Sequence, residues 1–154
     1  MIDTPELVDV PARKIAKIHL VVPSKDIMTH MGAGLKEVRQ ALAEQNIKAS
    51  GAWLTHHFKV PNTTFDFEIC IPVETDIAPQ GRVGAGELRA ARIARTVYNG
   101  NYSGLPNGWV EFMTWIHAHE LQMAGDFCEA YTVGPDDSTD PADWRTELSC
   151  PLQV

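Results

Sequence analysis

Apolar positions along this chain fall into one grammar that is used twice. A strand-like run occupies 14–22, after which Ile27, Met31, Leu35, Val38 and Leu42 recur at steps of three and four. Lys36, Glu37, Arg39 and Glu44 fall off that stripe. The spacing predicts an amphipathic helix, because helical side chains return to one face every 3.6 residues or so. Ser24 stands where an N-cap belongs and Asn46 where the helix should stop. Two more strand-like runs follow at 51–60 and 64–73. The order then restarts, with a strand at 91–98 and a second stripe of Leu105, Trp109, Phe112, Ile116 and Met123. Pro106 suits the first turn of that helix, Gly125 its C-terminal end, and strands at 127–133 and 144–152 complete the set.

The two sets share residues as well as order. Lys14-Ile15-Ala16-Lys17 reappears as Arg92-Ile93-Ala94-Arg95, at an offset of 78. The run FDFEICIPV matches WRTELSCPL at an offset of 79, with Glu68 over Glu147 and Pro72 over Pro151. Gly51-Ala52-Trp53 corresponds to Gly125-Asp126-Phe127 at an offset of 74. Three ordered matches at nearly one offset point to a duplication. The predicted fold class is α+β: tandem strand–helix–strand–strand modules whose helices pack on an antiparallel sheet. One domain over 1–154 is expected, with module one at about 13–73, a linker at about 74–87 and module two at about 88–152. Two Pro/Gly-rich segments punctuate it, 79–86 between the halves and 134–144 between the last two strands.

Composition narrows the function classes. A net charge of −7 with no basic run beyond Arg13-Lys14 argues against a nucleic-acid surface, since phosphate binding needs clustered positive charge. No apolar run reaches the roughly 18 residues of a membrane span, and the acidic N-terminus does not read as a secretory signal. Cys70, Cys128 and Cys150 are odd in number and lie in apolar strand-like runs, which suits reduced thiols and a cytoplasmic protein. His56-His57 are adjacent on a strand and His117 and His119 two apart on a helix, so neither pair shares a face for chelation. Gly84-Ala85-Gly86 lacks the third glycine of a dinucleotide loop, and Ser103-Gly104 lies in no nucleophile elbow. Neither a metal nor a cofactor is expected.

The run 127–135, FCEAYTVGP, sets a carboxylate in the middle of a strand. Phe127, Glu129 and Tyr131 share one face of it. Two readings stand: a solvated face with flanking aromatic neighbours, or an acid held among rings for a ligand. Burying a carboxylate without a partner costs several kcal/mol or raises its pKa, so the second reading assigns it a role.

Certain motifs resemble the GyrI-like small-molecule-binding family, which is the gyrase-inhibitor-like, effector-binding domain of drug-responsive regulators. They are RIARTVYNGNYSGL followed by a Trp-bearing helix, the Glu-x-Tyr strand ending in Gly-Pro, and Pro-x-x-Trp-x-Thr-Glu-Leu with a late proline. The resemblance spans about 13–152 and is strongest in the second half. It implies two modules about a pseudo-dyad and a central groove for flat, apolar, often cationic molecules. It also implies a glutamate of the penultimate strand in that groove, here Glu129. No helix-turn-helix segment is present, so direct DNA binding is not expected.

By the 74-residue offset, Glu129 corresponds to Thr55 and Tyr131 to His57. The implied groove is then lined by Trp53, Thr55 and His57 on one side and Phe127, Glu129 and Tyr131 on the other. Tyr98 and Tyr102 bracket the turn at 99–101, where their hydroxyls line the groove mouth or Tyr98 simply ends a strand. Trp109, on the apolar stripe, serves as core or as groove wall; Trp115 lies off the stripe, and Trp144, matching Phe65, belongs to the core. Three functions follow. The first is a stand-alone binder of aromatic or cationic compounds. The second is a hydrolase of cyclopropane-bearing electrophiles, with Glu129 as acid or base and Tyr98 orienting the substrate. The third is a gyrase-type protein-binding module, using Asp136, Asp137, Asp140 and Asp143.

Overall fold

The computed structural model describes residues 1–153. Its strands are β1 (Glu6–Val10), β2 (Arg13–Pro23), β3 (Leu54–His57), β4 (Thr64–Pro72), β5 (Val83–Leu88), β6 (Ala91–Asn99), β7 (Phe127–Val133) and β8 (Arg145–Pro151). Helix α1 spans Ile27–Glu44 and α2 spans Leu105–Ala118. The chain divides into two compact units, one of residues 11–90 and one of residues 1–10 with 91–154. Each carries four strands, all paired antiparallel, and one helix; this is the α+β class the pattern predicts.

Within the 11–90 unit the strand order is β3-β4-β2-β5, and within the other it is β7-β8-β6-β1. Pairing registers carry the duplication residue by residue. Ile15 lies opposite Pro72 as Ile93 lies opposite Pro151, and Thr55 opposite Ile69 as Glu129 opposite Leu148. The drift in offset has a local origin. Both helices start at the 78 offset, Ile27 against Leu105, but they end at 74, with Asn46 against Glu120 in the same left-handed conformation at φ 56°. Helix α2 is therefore shorter by four residues, close to one turn, so its apolar stripe keeps its phase.

A glycine marks where each helix meets its sheet. A Cβ on Gly34 would lie 2.7 Å from Ile69 Cδ1 and 3.1 Å from Leu20, and one on Gly108 2.8 Å from Tyr98. Leu35, Val38 and Leu42 then match Trp109, Phe112 and Ile116 down the two stripes. Val38 and Leu42 are buried with Ile18, Leu20, Phe67 and Ile69; Phe112 and Ile116 are buried with Ala94, Tyr98, Leu148 and Cys150. These two clusters fix which sheet face each helix covers.

Some local expectations change. Ser24 does not cap α1: its hydroxyl donates to the Asn62 carbonyl at 2.7 Å, and a 3-10 turn at Ser24–Asp26 leads into the helix. Gly125 does not end α2, which stops at Ala118. Glu120 takes the left-handed position there, and the Leu121 N–H closes back onto the Ile116 carbonyl at 3.2 Å. Met123 consequently lies past the helix, bridged to Leu152. The hydrophobic pattern shows neither β1 nor β5. Strand β5, drawn from the glycine-rich segment, pairs with β2, while β1 pairs with β6.

Candidate functional site

Glu129 owes its position to two strand registers and one helix. On β7 it faces Leu148 of β8, and Tyr131 faces Thr146. Across β8, Leu148 faces Thr96 and Thr146 faces Tyr98 on β6. Residues directly opposite one another share a sheet face, so Phe127, Glu129 and Tyr131 lie on the face that α2 covers. The solvated-face reading therefore falls. Glu129 is half-buried overall, yet its Oε2 is shut off from solvent and accepts no hydrogen bond among the described residues. A hydrogen bond from the Trp109 side chain favours the charged form of the carboxylate. Burial outweighs the Trp109 hydrogen bond and pushes the carboxyl up from 4.5 to about 7.

Aromatic rings stand at both ends of this acid. Trp109 meets Phe127 edge-on with centroids 4.9 Å apart and lies 5.8 Å from Phe112. At the other end Tyr102 lies 5.9 Å from Tyr131 and 4.8 Å from Trp144. Burial raises the Tyr102 hydroxyl above its ordinary value, and the charges of Asp137, Asp136 and Glu129 raise it further. Tyr102 is placed by Asn101, whose side chain accepts the Ser103 N–H at 3.0 Å and starts the turn into α2. Trp144 is half-buried and donates its indole N–H to the Ser138 carbonyl at 2.9 Å, so it joins this aromatic group and is not simply core.

Tyr98 lies beneath Gly104 and Gly108, 5% exposed, and its hydroxyl donates to the Asn101 carbonyl at 2.5 Å. Its hydroxyl proton is committed to the turn. The segment after β7 is also internally tied. Asp137 accepts the Gly134 N–H, Asp140 the Ala142 N–H and Asp143 the Ser138 hydroxyl. Three of the four aspartates considered for a protein contact thus hold the loop itself.

Trp53, Thr55 and His57 belong to the 11–90 unit. Thr55 and His57 are buried on its helix-covered face, with His57 Nε2 3.0 Å from Thr55 Oγ1 and the imidazole stacked on Phe67 at 5.4 Å. Trp53 packs at the margin of the same core. Burial, with the charge of His56 adding to it, lowers His57 to about 4, so the ring is neutral at neutral pH. The opposite sheet face holds a polar cluster the sequence reading missed. Lys17 Nζ lies 2.7 Å from Glu68 Oε2, His56 Nδ1 3.3 Å from Glu68 Oε1, and His19 Nε2 2.6 Å from Asp66 Oδ1. Burial raises the Glu68 carboxyl, but hydrogen bonds from His56 and Lys17 and their charges bring it below its ordinary value. Alternation on β2 and β4 was the signal for it, since Lys17 and His19 face Cys70 and Glu68 in register. Among the described residues no group of three His, Cys, Asp or Glu side chains is arranged to hold a metal ion, and no helix is long and apolar enough to cross a membrane.

Comparison with known proteins places this geometry. Residues 3–153 match the family model of the GyrI-like small molecule binding domain. No curated protein matches the chain in sequence. Among solved structures, the EcmrR C-terminal domain is 19% identical with a TM-score of 0.85, over 97% of both chains. The chain spans 57% of EcmrR as seen with DNA, at 18% identity and a TM-score of 0.87. SAV2435 bound to tetraphenylphosphonium aligns at 12% identity and a TM-score of 0.67, over 98% of this chain and 94% of that one. A hydrolase from Listeria innocua aligns at 11% identity and a TM-score of 0.65, over 97% and 91%.

Proposed function

The chain belongs to the GyrI-like small molecule binding domain family, and from that premise we propose that it binds flat, apolar cations at Glu129. The observation that carries the reading is one carboxylate, closed off from water, with an unpartnered oxygen and aromatic rings at both ends. Rings supply stacking surface and a favourable field for positive charge, while the carboxylate supplies the counter-charge. A cation seated there restores to Glu129 the partner that burial withholds. SAV2435, bound to tetraphenylphosphonium, is consistent with an aromatic cation as guest.

The test is a titration of purified protein with planar cationic dyes and their neutral analogues, followed by fluorescence. Glu129→Gln keeps the shape and removes the charge, so cation affinity should fall about 100-fold while neutral analogues change little. That is the scale of a buried charge losing its partner. Equal losses for both would remove the counter-ion role.

One observation favours a second reading. A carboxyl that titrates near 7 is suited to accept or donate a proton at neutral pH, as a hydrolase would require. A water-added product forming catalytically from a cyclopropane-bearing electrophile, and lost in Glu129→Ala, would favour hydrolysis over sequestration.

A further inference from the structure

Glu129 Oε2 has company. Thr146 is fully buried, and its Oγ1 also has no hydrogen-bond partner among the described residues. Thr146 stands opposite Tyr131 on β7, while Glu129 stands opposite Leu148, two positions further along β8. The two side chains are therefore diagonal neighbours on one sheet face, with Cα atoms on the order of 7 Å apart. A buried polar atom left without a partner keeps a desolvation cost that nothing offsets, so two side by side mark a place where donors are missing.

We infer that the guest of this site carries N–H donors, as a protonated amine or amidinium does, and that Thr146 reads them together with Glu129. This rests on the binding function proposed above and narrows its ligand class. A quaternary ammonium or phosphonium neutralises the carboxylate and stacks on the rings, but its charge is sheathed in carbon. It leaves Oε2 and Thr146 Oγ1 as they were. An ammonium N–H forms a charge-assisted bond to Oε2, roughly twice as strong as a neutral one. Thr146 completes the arrangement by accepting a second N–H of the same guest. Sites built around buried hydrogen-bonding groups reject analogues that lack the matching group far better than apolar pockets reject a methylene.

A matched pair of probes tests this: naphthylmethylammonium and naphthylmethyl-trimethylammonium, titrated by calorimetry at about pH 8, where primary amine and carboxylate are both mainly charged. Wild-type protein should bind the primary ammonium at least about tenfold more tightly. Thr146→Val should narrow that preference to about threefold by weakening the primary ammonium alone, and Thr146→Ser, which keeps the hydroxyl, should retain it. Saturable binding of both probes with equal affinity overturns the donor requirement and leaves the cation site standing. A preference that Thr146→Val leaves whole overturns the role of Thr146. No saturable binding of either probe by folded protein overturns the cation-binding reading and this inference with it.

Discussion

Thr55 and His57 on β3 occupy the places that Glu129 and Tyr131 occupy on β7, with their partners on the next strand in the same register. Both units bury polar groups beneath a helix, but the groups differ in kind. In the 11–90 unit the imidazole and the threonine hydroxyl meet at 3.0 Å. In the other unit the helix supplies one donor, Trp109, at the stripe position that is Leu35 in α1, and the second carboxylate oxygen stays open. Leucine has no donor to offer a carboxylate.

The difference can be broken by titration, and the largest effect expected is a pair of opposite pH dependences. Burial raises Glu129 from 4.5 to about 7, so the folded state holds a proton that the unfolded chain releases. Its contribution is whole below 4.5 and is lost as pH rises through 7, on the order of 3 kcal/mol. His57 is lowered from 6.5 to about 4, so the unfolded chain takes up a proton that the folded state refuses. Its contribution is whole above 6.5 and is lost, on a similar scale, as pH falls through 4. Urea unfolding across that range should show Glu129→Gln removing the alkaline loss alone and His57→Gln removing the acid loss alone. Matching pH profiles for the two variants would mean that other groups control both limbs.

A smaller effect separates the two helix–sheet contacts. Gly34→Ala must move the end of Ile69, a flexible side chain, whereas Gly108→Ala presses on a carbon of the Tyr98 ring. The ring is also anchored through its hydroxyl to Asn101. Gly108→Ala should therefore lower stability by about 1–3 kcal/mol, and Gly34→Ala by about half as much or less, offset in part by the helix propensity of alanine. Thermal unfolding of the two variants decides it; an inverted order would show that Tyr98 yields more easily than Ile69.

The smallest contrast lies at the helix ends. Asn46 and Glu120 both hold φ at 56°, where asparagine is tolerated and glutamate strained. Glu120→Gly should stabilise by about 0.5–1 kcal/mol and Asn46→Gly by close to zero. Equal melting shifts would remove the strain assigned to Glu120.

What was legible in the sequence follows from what is local. The duplication could be read because strands conserve register: the 78 and 79 offsets of the sequence are those of paired strands, and the 74 offset is that of the shortened helix. Alternation placed Phe127, Glu129 and Tyr131 on one face, but it could not say which face α2 covers. That depends on Gly108 meeting Tyr98 across the unit. The Trp109–Glu129 hydrogen bond was hidden for the same reason, since it joins a helix phase to a strand register. Strand β5 was hidden by its glycines, which read as a linker. Gly86 lies under the Lys17 stem, where a Cβ would meet Cδ at 2.8 Å, so a bare backbone is what that position takes. Tyr98 looked available because alternation predicts burial and not the turn of a hydroxyl back onto Asn101.

The pairing of β1 carries a consequence for how the protein is made. The chain passes from one unit to the other after Val10 and returns after Ala90. The Asp9–Arg92 and Glu6–Arg95 ion pairs close over 83 and 89 positions. During synthesis residues 11–90 emerge as one contiguous run that holds every strand of its unit, and they can condense as soon as they clear the ribosome. Strand β1 emerges before them but has to wait for β6. A strand translated ahead of its partner by some eighty residues thus waits to pair, and in the interval its unpaired edge is a surface for chaperones or for another nascent chain.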